Sequence, residues 1–92
     1  MIERRRIVVR GRVQAVGFRW FVRDVAESLR LDGWVRNLPD GRSVEALVQG
    51  PEAQVDQLVE AMRTGPPGAH VAVCQDSPEP PGDTPQGFHI LR

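Results

Sequence analysis

Between Arg4 and Val13 the sequence changes sides at every residue, with Ile7, Val9, Gly11 and Val13 on one face and Arg6, Val8, Arg10 and Arg12 on the other. A period of two is that of a half-buried strand. Beyond it Phe18, Val22, Val25, Ala26 and Leu29 recur at helical spacing, which predicts a helix over Arg19–Leu31. The period therefore switches across Gln14–Phe18, in a turn that contains Gly17. No other feature constrains the fold as much, because a strand followed at once by an amphipathic helix must bury its apolar face against that helix.

The remaining elements follow from the same two periods. Gly33–Leu38 reads as a second strand, Asp40-Gly41 as a hairpin turn, and Ser43–Gln49 as a third strand with Val44, Ala46 and Val48 inward. A second helix opens at Gly50-Pro51, carries Val55, Leu58, Val59 and Met62 on one face, and stops at Gly65-Pro66-Pro67. Ala69–Gln75 is expected as a fourth strand through Val71 and Val73. Phe88–Leu91 forms a short fifth element after a loop rich in proline, and there is no internal repeat. The order β-α-β-β-α-β predicts an α+β, ferredoxin-like sandwich, an antiparallel sheet with two helices on one face. In such a split β-α-β unit the first and second strands run parallel with the third between them. The Gln14–Phe18 turn, the start of the first helix and Asn37 then lie at the same end of the sheet.

Ninety-two residues suffice for one core, so a single domain over residues 1–92 is expected. Twelve arginines, with no lysine, balance twelve carboxylates, and a net charge of zero provides no overall field toward nucleic acid or an anionic membrane. Any anion site must be local. Without lysine there is no Schiff-base chemistry, and the cations are planar forks suited to phosphate and carboxylate, although coding bias produces the same composition. Cys74 is alone, and the N-terminal residues contain no long apolar stretch, so a cytoplasmic protein without disulfide or anchor is expected. His70 and His89 do not have metal-site spacing, and Cys74 reads as a strand residue near the core. No metal or cofactor is expected.

A glycine-containing turn leading into a helix presents free backbone N–H groups together with the positive end of the helix dipole, and can hold an anion. Arg19 stands where its guanidinium would reach the same anion, although an ordinary strand-to-helix connection has the same spacing. Asn37 falls on the face of Val35, near the open end of the sheet. Its amide either bonds nearby backbone as the strand ends before Pro39 or holds a water over a bound group. Trp20 is open in role, and Trp34 faces the other side of the sheet from Val35, against that surface or its arginines.

The run Gly11-Arg12-Val13-Gln14-Ala15-Val16-Gly17-Phe18-Arg19 resembles the acylphosphatase signature. Gly33-Trp34-Val35-Arg36-Asn37, followed by Asp40-Gly41 and Val44-Glu45, resembles the second motif of that family. The resemblance implies a hydrolase that cleaves acyl phosphates to carboxylate and inorganic phosphate without a metal. It implies Gln14, Ala15, Val16, Gly17, Phe18 and Arg19 as the phosphate-binding loop, with Arg19 gripping the phosphate and Asn37 orienting the attacking water. The carboxylate leaves without a general acid, and the substrate phosphate helps take the proton from water. The implied partner is a small acyl phosphate, handled by a monomer without nucleic acid or membrane. Two positions depart from the family pattern: Ala15 and Arg30 stand where glycine is usual. If Ala15 is left-handed it costs about 1–2 kcal/mol, whereas Arg30 bears on helix termination and stability. Ala15 also keeps open a rival reading, a non-catalytic anion-binding regulatory module. An RNA-binding sheet would need exposed aromatics on the central strands, and Ile7–Val13 and Ser43–Gln49 have none.

Overall fold

Every residue from Ser43 to Val48 is buried, which a strand achieves only when both its faces are covered. The computed structural model, which describes Met1–Arg92, shows how. Its elements are β1 (Ile2–Arg12), α1 (Phe18–Ser28), β2 (Asp32–Asn37), β3 (Ser43–Pro51), α2 (Glu52–Thr64), β4 (His70–Glu79) and β5 (Phe88–Ile90). They form one sheet in the order β4-β1-β3-β2-β5. The central β3 is antiparallel to β1 and β2, and β4 is antiparallel to β1. The sheet is not wholly antiparallel as expected, because β5 joins the far edge parallel to β2. No helix is long and apolar enough to cross a membrane.

On one face Ile7, Val9, Val35, Val44, Ala46 and Val48 pack beneath Phe18, Val22 and Ala26 of α1 and Val55, Leu58, Val59 and Met62 of α2 in one buried cluster. At about 25 cal/mol per Å² of apolar surface removed from water, this packing is the main favourable contribution to folding. The opposite face carries charge. Glu45 is 7% exposed and accepts hydrogen bonds from Arg6 and from Arg36 Nε, the latter at 2.8 Å. Burial pushes its carboxyl upward, but the two guanidinium groups prevail and hold it below the ordinary glutamate value. Arg36 also stacks over Trp34 at 5.3 Å, the packing against arginine anticipated for this residue. The proline-rich loop crosses this face between the two edges of the sheet: Gly82 N donates to Gln49 Oε1 at 3.1 Å, and Arg4 Nη1 to the Asp83 carbonyl at 3.1 Å.

Strand β4 departs from its expected parity. Val71 and Cys74 pack against the core while Val73 is 46% exposed, because the register with β1 shifts between Arg10 and Gly11. A bulge reverses the alternation beyond it. The strand also runs past Gln75 to Glu79 through Pro78, which an edge strand tolerates because one side needs no donor.

Helix α1 ends at Ser28, short of the expected Leu31, because Arg30 is left-handed with φ 59°. Arg30 N donates to Glu27 O at 3.0 Å and Leu31 N to Ala26 O at 2.9 Å, the paired bonds of a Schellman closure. Leu31 then turns back into the core. Arginine lacks the freedom that glycine has in this conformation, so Arg30→Gly relieves strain at a site remote from Asn37. We expect a gain of about 0.5–1 kcal/mol, read as a melting temperature raised by roughly 2–8 °C. A lower melting temperature would show that the Arg30 side chain contributes more than the strain costs.

Candidate active site

Both sequence motifs begin with a glycine that the sheet requires. Gly11 has φ 142° opposite the β4 bulge, where a Cβ would collide with the His70 carbonyl, and Gly33 has φ 142° with the Leu47 carbonyl in the same relation. These glycines admit the neighbouring strand rather than a ligand. The turn that follows β1 is different. Ala15 has φ 61° and Gly17 φ 75°, while Val16 between them is not among the positive-φ residues. Alternation of hand turns successive N–H groups toward one side, the geometry of an anion nest. A Cβ on Gly17 would meet nothing within 4 Å, so conformation and not space calls for glycine there.

The N–H groups of Ala15, Val16, Gly17, Phe18, Arg19 and Trp20 donate to no backbone carbonyl, the first helical bond being Phe21 N to Gly17 O at 3.0 Å. The N-terminus of α1 has no side-chain cap and no acidic residue in its first turn. In contrast, α2 carries Glu52 in its first turn and Arg63 in its last, as the helix dipole favours. At α1 the first turn bears Arg19, a cation beside the positive end of the dipole.

A cleft of about 250 Å³ opens at this end, lined by Val13, Ala15, Gly17, Phe18, Arg19, Trp20 and Asn37. It brings together the turn, Arg19 and Asn37, as strand polarity predicts. Gln14 and Val16, placed in the loop by sequence, do not line it, whereas Val13 and Trp20 do. Val13 continues the β1 alternation into the floor of the cleft, and its place there was visible only as core; Trp20 follows Arg19 in the first helical turn. Gln14 has another part: its Nε2 donates to the carbonyls of Leu38 and Ser43, both at 2.9 Å, tying the turn to the β2–β3 hairpin. The hairpin is itself fixed by Asp40, which accepts from Ser43 Oγ at 2.6 Å, Arg42 N at 2.8 Å and Ser43 N at 2.9 Å. The Ser43 hydroxyl and the backbone donors, Arg42 N foremost, hold the Asp40 carboxyl below its ordinary value.

Arg19 and Asn37 are both half-buried. The Asn37 amide makes no hydrogen bond to nearby backbone, and Arg19 has no carboxylate within 4.0 Å. Its one contact is a long bond from Nη1 to the Leu91 carbonyl, 3.4 Å. Arg4, Arg5, Arg6 and Arg36, by comparison, are all held by carboxylates. The two histidines are exposed, on β4 and β5, and no group of three or more His, Cys, Asp or Glu side chains is placed to hold a metal ion.

An α+β sandwich with a nest of free N–H groups, a guanidinium without a carboxylate and an unpartnered amide in one cleft defines a candidate anion-handling site at a strand-to-helix turn. The acylphosphatase family model matches residues 5–90. The acylphosphatase of Acaryochloris marina is 49% identical over 85 residues, covering 92% of this chain and 89% of the relative. That of Rhizobium meliloti is 47% identical over 92 residues, covering 98% and 96%. The crystal structure of acylphosphatase from Bacillus subtilis superposes with a TM-score of 0.92 at 40% identity, covering 100% of both chains. The chain belongs to the acylphosphatase family.

Because Ala15 is left-handed, Ala15→Gly removes strain within the turn without removing a donor. Activity is expected to hold or rise, and the melting temperature to hold or rise with it. A large fall in kcat/KM would mean that the Ala15 methyl group itself shapes the cleft.

Proposed function

We propose that the cleft hydrolyses acyl phosphates to a carboxylate and inorganic phosphate, with the phosphoryl group held by the turn and Arg19 and the attacking water oriented by Asn37. The observation that carries this reading is the conjunction of unbonded N–H groups from Ala15 to Trp20 with the unpaired guanidinium of Arg19. A phosphoryl group satisfies both at once. It offers oxygens to the amides, accepts two parallel bonds from the guanidinium fork, and neutralises the positive end of α1.

The chemistry asks little else of the protein. In-line displacement requires a water on one side of phosphorus and the acyl oxygen on the other. The Asn37 side chain, across the same cleft from the turn, supplies an amide oxygen and amide protons to hold that water. As the water oxygen bonds to phosphorus, the bond from phosphorus to the acyl oxygen breaks and its electron pair departs on the carboxylate. A carboxylate is stable at neutral pH, so no acid need protonate it. The water proton passes to a phosphate oxygen. Acceleration then comes from position and from charge complementarity that is already organised before the reaction. Under the same reading residues 1–92 act as one domain and as a monomer in the cytoplasm, where the unpaired Cys74 needs no disulfide partner.

Purified protein is expected to turn over benzoyl phosphate in the presence of a chelator, with release of inorganic phosphate as the readout. Loss of turnover on chelation, restored by a divalent ion, would refute a mechanism run by backbone and guanidinium alone. Binding of phosphate without any turnover would leave a non-catalytic module.

The two side chains are expected to fail differently. Arg19→Ala loses turnover together with inhibition by inorganic phosphate, since a charge-assisted fork contributes on the order of 1.5–3 kcal/mol. Asn37→Ala lowers kcat strongly while phosphate still competes with nearly unchanged affinity. With folding of both variants checked by circular dichroism, near-normal kcat in Asn37→Ala or near-normal phosphate affinity in Arg19→Ala would overturn this division of roles.

A further inference from the structure

A second, larger groove of about 480 Å³ runs beside the first, between α1 and β5. Arg19 and Trp20 line both, Asn37 only the first. Beyond the shared pair the groove continues along α1 to Arg23 and Glu27 and is bordered by His89 and Arg92. Arg19, Arg23 and Glu27 follow one another at intervals of four, so they form one ridge of the helix, with a rise of about 6 Å between successive members.

Arg23 is placed as a recognition group. Its guanidinium lies over the Trp20 ring, 4.5 Å from the centroid, which gives the 54% exposed indole a partner and fixes the plane of the fork. Its Nε is buried without a hydrogen-bond partner, and Nη1 has none either. The only ion pair is from Nη2 to Asp24 Oδ1 at 3.2 Å, with the Asp24 side chain 67% exposed. An exposed pair of this kind contributes little and yields to a better-placed carboxylate. Arg23 and Arg92 face Glu27 and the exposed Asp24, and Arg19 adds one further positive charge.

If the phosphoryl group sits in the nest and water is held at Asn37, in-line geometry sends the acyl group away from Asn37, past Arg19 and Trp20. That path leads into the groove. We propose that this groove is the acyl-group subsite and that Arg23, held flat by Trp20, selects acyl phosphates whose acyl group carries a second anionic group at its end distal to the phosphorus. The inference rests on the proposed hydrolysis for its orientation, but its charge recognition can be read without turnover.

The test compares 4-carboxybenzoyl phosphate with 4-methylbenzoyl phosphate, which are similar in shape and differ in the distal charge. The wild-type protein prefers the carboxylated substrate by about tenfold in kcat/KM, mainly through KM. In Arg23→Gln, shown folded by circular dichroism, the ratio falls to near one. Equal kcat/KM values in the wild type, or a preference that survives Arg23→Gln, would overturn the proposal. In parallel, calorimetry at physiological salt and saturating inorganic phosphate compares terephthalate with the neutral 4-methylbenzamide. Terephthalate is expected to bind about tenfold more tightly, and that advantage to vanish in Arg23→Gln. If neither acyl phosphate is hydrolysed while terephthalate keeps its Arg23-dependent advantage, the hydrolytic reading fails and the anion subsite stands. Equal binding of the anion and the neutral amide removes the subsite whatever the turnover.

Discussion

The positive end of α1 is left without a negative side chain, and much of the molecule is arranged around that fact. A helix start normally acquires a capping oxygen or an acidic first turn, as α2 does with Glu52. Here the start has neither and carries Arg19 instead. A cation beside the positive end of a helix dipole is unfavourable, so the rest of the fold must hold it. Phe18, at the first position of the helix, is buried to 2% exposure and meets Phe21 edge-on with centroids 6.1 Å apart, which anchors the helix from below. At the other end the Schellman closure at Arg30 fixes where the helix stops. Both ends of α1 are thus set by backbone conformation and burial, leaving its first N–H groups free.

The same economy explains how a chain of zero net charge keeps a local excess of positive potential. Arg6 and Arg36 are neutralised by Glu45 on the outer face of the sheet, and Arg5 by Asp56 and Asp76 along the edge of the core. These pairs fix side chains that would otherwise compete for an anion. Glu45 matters most because it is nearly buried, and removing it would leave two guanidinium groups facing one another across β3. Its depressed carboxyl value also sets a sign: the stability it contributes is present above the ordinary glutamate range and is lost as pH falls through its lowered value in the folded protein. Acid therefore weakens the outer face of the sheet.

Much of this was legible in the sequence, and the failures have identifiable causes. Alternation gave the faces of β1, β2 and β3 because one face of each meets the apolar cluster beneath the two helices. It placed Cys74 near the core correctly but misplaced Val73, because a bulge opposite Gly11 reverses parity without leaving a trace in hydrophobic pattern. The parallel pairing of β5 with β2 was not visible, since a three-residue strand has too few positions to declare its direction and its place depends on a loop crossing the outer face. Helix length was overread at its C-terminus because Leu29 and Leu31 are apolar, although Leu31 is buried from beyond the helix end. In contrast, the two positions where a usual glycine is replaced, Ala15 and Arg30, are the two non-glycine residues with positive φ. Missing glycines were a reliable guide to where the backbone is strained.

Gln14 links these observations to the chemistry. Its side chain spends both amide protons on the carbonyls of Leu38 and Ser43, so it cannot also donate to a ligand in the cleft. What it does is set the distance between two loops that meet nowhere in sequence, one carrying the nest and Arg19, the other carrying Asn37. The hairpin side of that link is rigid, because Asp40 already accepts three hydrogen bonds within the turn. A turn strained at Ala15 and joined to a rigid hairpin has little freedom to collapse when the cleft is empty. Under the proposed reading, the donors of the turn are held in place by residues that bond to the hairpin instead of to the phosphoryl group, which is how preorganisation is built into so short a chain.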